Sequence, residues 1–169
     1  MLKNEVHAAL NTQVNHEQTA AQEYLAMSAW LDGQNLKGFA RYMRTQSDEE
    51  RMHALKLFDF IHARGSHTVL EQVAQPTITF DSPLAVFKAA QAREQANTAS
   101  ISAAYALAVE HKDYATQTML QWFIDEQVEE EEWCDEAVAL LTAAGDNPAA
   151  LLMLDERYGK SPSAAPEGE

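Results

Sequence analysis

Glycine and proline occur only 6 and 5 times in 169 residues, and they fall in four clusters. Gly33 and Gly38 flank one break. Gly65 and the stretch from Pro76 to Pro83 mark a second. Gly145 and Pro148 mark a third, and Gly159, Pro162 and Pro166 a fourth. The intervals hold no helix breaker, and their apolar residues repeat at alternating spacings of three and four. This pattern predicts α-helices over 4–31, 37–64, 83–110, 113–144 and 148–158. Ser82 and Asn147 can each cap a helix whose first residue is proline. The boundary between the third and fourth helices rests on Asp113 as a cap. The only strand-like alternation is TITF at 77–80. The domain is expected to span 1–158, with 159–169 as a disordered tail.

The first four helices, at 1.5 Å per residue, run about 40–48 Å each. Such lengths suit an all-α fold, a four-helix bundle with a short fifth C-terminal helix. The connections after the first and third helices are short and join antiparallel neighbours. The segment 65–82 is long. Extended at about 3.3 Å per residue it reaches about 59 Å, enough to travel the whole bundle. A crossover that makes the second and third helices parallel is the favoured reading, and a long surface loop without crossover is the alternative.

Each helix has one stripe facing a bundle core. The first carries Val6, Leu10, Gln13, Glu17, Ala20, Tyr24, Met27 and Leu31. The second carries Phe39, Met43, Gln46, Glu50, His53, Leu57 and Phe60. The third carries Leu84, Phe87, Gln91, Glu94, Thr98, Ile101, Tyr105 and Ala108. The fourth carries Leu120, Phe123, Gln127, Glu130, Cys134, Ala137 and Leu141. Every stripe is apolar towards its ends and polar near its middle. One acid on such a stripe is more often a boundary residue or a side chain that reaches water. Four acids at one height repel one another and favour protonation. Two divalent cations would cancel the four charges of Glu17, Glu50, Glu94 and Glu130, and His53 would add a nitrogen. Carboxylates with one imidazole suit iron or manganese and tolerate zinc.

Composition narrows the partners. Acids outnumber bases 26 to 12, a net charge of −14, which disfavours nucleic acid and anionic membranes. No apolar run approaches a membrane span, and MLKNEVHAAL lacks the apolar centre of a secretory signal. Cys134 is the single cysteine. No internal disulfide can form, and a reducing, cytoplasmic setting is expected.

Glu17, Tyr24, the run Glu50-Arg51-Met52-His53, Glu94, Trp122, Gln127 and Glu130, in that order on this helix layout, resemble the non-haem ferritins of prokaryotes. The resemblance covers residues 4–158 and implies the ferritin-like bundle of di-iron carboxylate proteins. It implies that Glu17, Glu50 and His53 hold one iron, that Glu50 bridges, and that Glu94 and Glu130 hold a second. Gln127 resembles an amide that supports the ligands. Where the wider family repeats Glu-x-x-His, this chain has Gln127-x-x-Glu130, so the second metal should be held more loosely. Glu49, Glu126 and Glu129 lie about 100° off the stripes. They read either as a solvated face or, by the resemblance, as a third iron site. Tyr24 is a core tyrosine or an electron donor to oxygen chemistry, with Trp122 in a similar part. His7, His16, His62, His67 and His111 form no ligand spacing and read as surface or structural. Arg51, not Met52, directly follows the bridging glutamate, so no haem is expected.

The resemblance further implies ferroxidase activity with dioxygen or hydrogen peroxide, iron storage as mineral, and a hollow cage of twenty-four copies. The run Leu151-Leu152-Met153-Leu154 would line a symmetry axis or, alternatively, cover the bundle end. Two rivals are a di-iron carboxylate oxidase or peroxidase without a storage cage, and a metal-free interaction module.

Overall fold

The computed structural model describes residues 2–160; the tail segment 161–169 lies outside the described residues. The helices are α1 (Asn4–Gly33), α2 (Lys37–Ala63), α3 (Pro83–Glu110), α4 (Tyr114–Ala144) and α5 (Pro148–Lys160). There is no strand among the described residues, and TITF belongs to an irregular connection. The three expected caps are in place. Ser82 accepts from the Ala85 N–H at 3.1 Å, Asp113 from the Thr116 N–H at 3.2 Å, and Asn147 from the Ala149 N–H at 3.0 Å. Each satisfies a backbone donor that a helix start leaves free. Asp113 also takes both arms of Arg64 at 2.9 and 3.0 Å, which ties the end of α2 to the start of α4.

Helix directions follow from the cross-links. Ser47 donates to the Ala21 carbonyl and Ser28 to the Ala40 carbonyl, both at 2.7 Å, so α1 and α2 are antiparallel. Gln13 meets Asn97 and Tyr24 meets Glu94, so α1 and α3 are antiparallel too. Consequently α2 and α3 are parallel, and 65–82 is the crossover. It lies along α1. The Asn11 side chain accepts from the Val69 N–H at 2.7 Å and donates to the Val69 carbonyl at 3.2 Å. Asn15 accepts from the Glu71 N–H at 2.9 Å, and Phe80 packs edge-on against Trp30 at 5.7 Å. Helix side chains thus satisfy crossover backbone groups that a sheet would otherwise pair.

The core has two apolar halves. One gathers Tyr24, Met27, Leu31, Phe39, Met43, Phe87 and Cys134. The other gathers Val6, Leu10, Val14, Leu57, Ile61, Ile101, Leu120 and Phe123. Between them lies a buried polar belt of Gln13, Glu17, Glu50, His53, Glu94, Asn97, Gln127 and Glu130. The stripes of α1 and α4 are buried as the spacing predicts. On α3 the buried face is turned slightly: Asn97 and Ala104 are inside, while Thr98 and Tyr105 are half-buried.

α5 continues to Lys160, two residues past its expected end, because Gly159 is a packing residue and not a stop. A Cβ on Gly159 would lie 2.8 Å from Gly38 Cα, and one on Gly38 would lie 1.7 Å from the Asp155 carbonyl oxygen. The two glycines let α5 touch the start of α2. There the Asp155 carboxylate accepts from the Gly38 and Phe39 N–H groups at 3.1 and 2.8 Å, and α2 has no cap of its own. Leu151 and Leu154 pack on the bundle end, whereas Leu152 and Met153 are exposed.

Candidate metal centre

Glu17, Glu50 and His53 converge. One ligand atom from each lies within 4.8 Å of the others, and all three side chains are buried. Glu50 and His53 are one turn apart on α2, and Glu17 faces them from α1. Glu50 Oε2 and His53 Nδ1 are 3.6 Å apart, and each is buried without a hydrogen-bond partner. Buried polar atoms in proteins are nearly always satisfied, so these two orphans mark a place for a ligand. The His53 ring is fixed edge-on by Trp122 at 5.3 Å and Phe123 at 5.7 Å.

Glu94 and Glu130 come from α3 and α4 on the facing side. Tyr24 donates its hydroxyl proton to Glu94, and the Gln127 amide donates to the other Glu94 oxygen at 3.2 Å. The Trp133 indole N–H donates to Glu130. These two carboxylates are held by their neighbours and are not part of the tight group of three.

The electrostatics favour a cation. Burial drives Glu17 well above the ordinary carboxylate range, and the charge of Glu50 adds to it. Burial pushes Glu50 up to about 8, against a lowering hydrogen bond with Glu17. Both carboxyls of the pair are therefore shifted towards the protonated form when no cation is beside them. Burial raises Glu94 and, further, Glu130, which also faces the charge of Glu94. Proton retention is how a crowded buried acid cluster avoids its own repulsion, and divalent cations do the same with more charge. Tyr24 is raised well above its usual value by burial and then by Glu94, so its phenol keeps its proton.

Comparison with known proteins matches the geometry. Residues 7–144 match the family model of the ferritin-like domain. The chain belongs to the ferritin family. A bacterial non-heme ferritin from Staphylococcus aureus (strain USA300) is 40% identical over 159 residues, covering 94% of this chain and 96% of that one. A counterpart from Staphylococcus epidermidis is 40% identical over 156 residues, 92% of this chain and 94% of its own. Among solved structures, an open pore ferritin from the hyperthermophilic archaeon Archaeoglobus fulgidus superposes with a TM-score of 0.93. It is 39% identical and covers 96% of this chain and 99% of that chain. A structure described as a humanized archaeal ferritin gives 0.94 at 37% identity, with 96% and 98% covered.

In this ferritin, Glu49 and Glu126 are half-buried beside the group of three, and Glu129 is exposed. Gln46 donates to one oxygen of Glu49, and the other oxygen is buried and unpaired. Burial raises both Glu49 and Glu126, and each is raised further by the other acids around it. Lys56 lies over the Trp122 ring, 3.4 Å from its centroid. The remaining histidines have structural partners: His7 bonds the His67 carbonyl at 2.8 Å, His111 faces Glu5 at 3.8 Å, and His62 stacks on Phe58.

Two residues at the centre escape the stripe reading. Trp133 is three residues after Glu130, which places its indole one turn along on the same side. Asn97 is three residues after Glu94 and four before Ile101, a spacing as good for a core stripe as that of Thr98. Its buried amide touches Gln13, Glu17 and Gln127.

Proposed function

We propose that the chain is an iron-storage ferritin with ferroxidase activity. Fe(II) is its substrate, bound as a pair inside the bundle. Glu17, Glu50 and His53 hold the first ion, Glu50 bridges to the second, and Glu94 and Glu130 complete the second. The observation that carries this reading is the pair of buried, partnerless atoms on Glu50 and His53, facing Glu17 in a chain of the ferritin family. Carboxylate oxygens with one imidazole suit iron.

The chemistry balances as follows. Two Fe(II) ions lose one electron each. The two electrons, with two protons, reduce dioxygen to hydrogen peroxide, or reduce hydrogen peroxide to water. Glu50 brings both donors within reach of one oxidant. The carboxyl protons displaced by metal leave before oxidation. This two-electron reaction needs no further reductant, and Tyr24 serves it by donating its hydroxyl to Glu94, which fixes that carboxylate. Gln127 and Trp133 orient Glu94 and Glu130 without binding iron. Glu49, Glu126 and Glu129 form a third, more open iron site beside the pair. The oxidised iron is stored as mineral in a hollow cage of twenty-four copies, and the net charge of −14 concentrates Fe(II) around it. The exposed Leu152 and Met153 on α5 are covered in that assembly.

Aerobic loading with Fe(II), followed by sizing with iron detection, tests the proposal. Iron eluting inside a particle of many subunits supports it. Oxidation by a small oligomer that retains no iron would instead favour an oxidase without a cage.

A further inference from the structure

The buried amides around Glu17 have one direction. Ser100 donates its hydroxyl to Gln13 Oε1 at 2.6 Å, and His16 Nδ1 lies 3.2 Å behind that hydroxyl. An amide oxygen only accepts, so Gln13 must turn its Nε2 inward. That nitrogen donates to Glu17 Oε1 at 2.7 Å and to Asn97 Oδ1 at 2.5 Å. With its oxygen taken, Asn97 must turn its Nδ2 towards Glu17 Oε2 at 3.2 Å and Gln127 Oε1 at 3.3 Å. Gln127 is thereby oriented in turn, and its Nε2 faces Glu94 Oε2 at 3.2 Å. One hydroxyl on α3 therefore sets three amides. The Gln127 Nε2 also faces the Glu94 backbone carbonyl at 3.3 Å and the Thr98 hydroxyl at 3.2 Å, so the chain of amides that starts at Ser100 ends around Glu94.

We infer that Asn97 is a positioning residue that ties the two halves of the metal centre together, holding Glu17 directly and Glu94 through Gln127. The inference rests on the proposed two-metal reading of that centre. Its physical basis is selection of one carboxylate orientation. Gln13 and Asn97 occupy one lone pair on each oxygen of Glu17 and leave the others for metal. An apolar side chain at either position would fill the bundle with no polar group to desolvate. The amides are worth their burial only if the carboxylates need orienting. Hydrogen-bond partners of metal ligands are typically worth 10–100-fold in metal affinity.

Co(II) is a suitable probe, because its visible spectrum reports the ligand set while its affinity is measured in the same titration. The assembled protein is titrated as wild type, Asn97→Leu and Ser100→Ala. Asn97→Leu is expected to weaken Co(II) binding about tenfold and to change its visible bands. Ser100→Ala, which only frees the amide orientation, is expected to shift the bands in the same direction with a smaller loss. It serves alone if the leucine variant does not assemble. A purely structural role for Asn97 predicts a lower melting temperature with unchanged bands and affinity, and that result would overturn the inference. Failure of the wild type to bind Co(II) or Fe(II) would remove the two-metal reading and this inference with it. Normal wild-type binding with indifferent variants would remove the inference alone.

Discussion

Glu50 Oε2 and His53 Nδ1 face each other across 3.6 Å in the interior of the bundle, and neither has any other partner. The two residues are one turn apart on α2, so the helix itself fixes their relationship. An apolar pair at these positions would have given a better ordinary core. The protein keeps two unsatisfied polar groups there, at a cost in stability of about 1–3 kcal/mol each.

That cost makes apo stability depend on pH. Glu50 is pushed up to about 8 in the folded chain, whereas an unfolded carboxyl titrates near 4.5. Between those values the folded state binds more protons than the unfolded state. Stability therefore falls as pH rises through that window, by up to about 1.4 kcal/mol per pH unit for each such proton. Metal-free protein should melt at a lower temperature at pH 8 than at pH 5.5, and Glu50→Gln should flatten the slope. Added Zn²⁺ should raise the melting temperature more at pH 8, since metal must displace fewer protons there. Scanning calorimetry at both pH values checks the sign.

Glu17→Leu should separate stability from function. Leucine is similar in volume and leaves Gln13 bonded to Asn97, and Asn97 to Gln127, although the N–H that each donates to Glu17 loses its acceptor; removal of the buried acid outweighs that loss. The metal-free variant should be more stable than wild type at pH 8, by about 1–3 kcal/mol. It should also lose the stabilisation that metal gives. Denaturant melts with and without Zn²⁺ measure both effects, and a destabilised apo variant would contradict the burial argument.

Tyr24→Phe removes the hydroxyl that donates to Glu94, while Gln127 still holds the other oxygen. Anaerobic titration should find the same number of Fe(II) ions per subunit as in wild type. Oxidation should slow by about tenfold, the scale of lost support to a ligand. Unchanged kinetics would assign Tyr24 to packing alone.

The α5 contact gives a prediction about the fold. Gly38→Ala drives a Cβ to within 1.7 Å of the Asp155 carbonyl oxygen, so α5 must shift. The expected loss is about 1–3 kcal/mol. Asp155→Ala removes the cap of α2 and should cost about 1 kcal/mol. Thermal melts give the losses, and sizing shows whether the displaced helix weakens assembly.

The ease of reading differed along the chain for physical reasons. The helices were visible because each apolar stripe repeats locally and because Ser82, Asp113 and Asn147 are strong caps. The polar middles of four stripes showed Glu17, Glu50, Glu94 and Glu130 as one level. The crossover was visible only as a length, since its bonds to Asn11 and Asn15 join residues far apart in sequence. Asn97 was hidden because the sets 94-97-101-104 and 94-98-101-105 obey the same spacing, and only packing against α1 chooses between them. Gly159 resembled a helix stop because its reason for being glycine lies on α2, at Gly38. Asp155 gave no local sign that it caps a helix begun more than a hundred residues earlier.

In the proposed ferroxidase, Fe(II) is oxidised at the group formed by Glu17, Glu50 and His53. Stopped-flow oxidation by the assembled Glu50→Ala/His53→Ala variant, beside wild type, tests it most directly. The expected result is a particle of wild-type size in which the rapid phase of Fe(II) oxidation is lost. A rapid phase of wild-type rate and amplitude in that variant would contradict it.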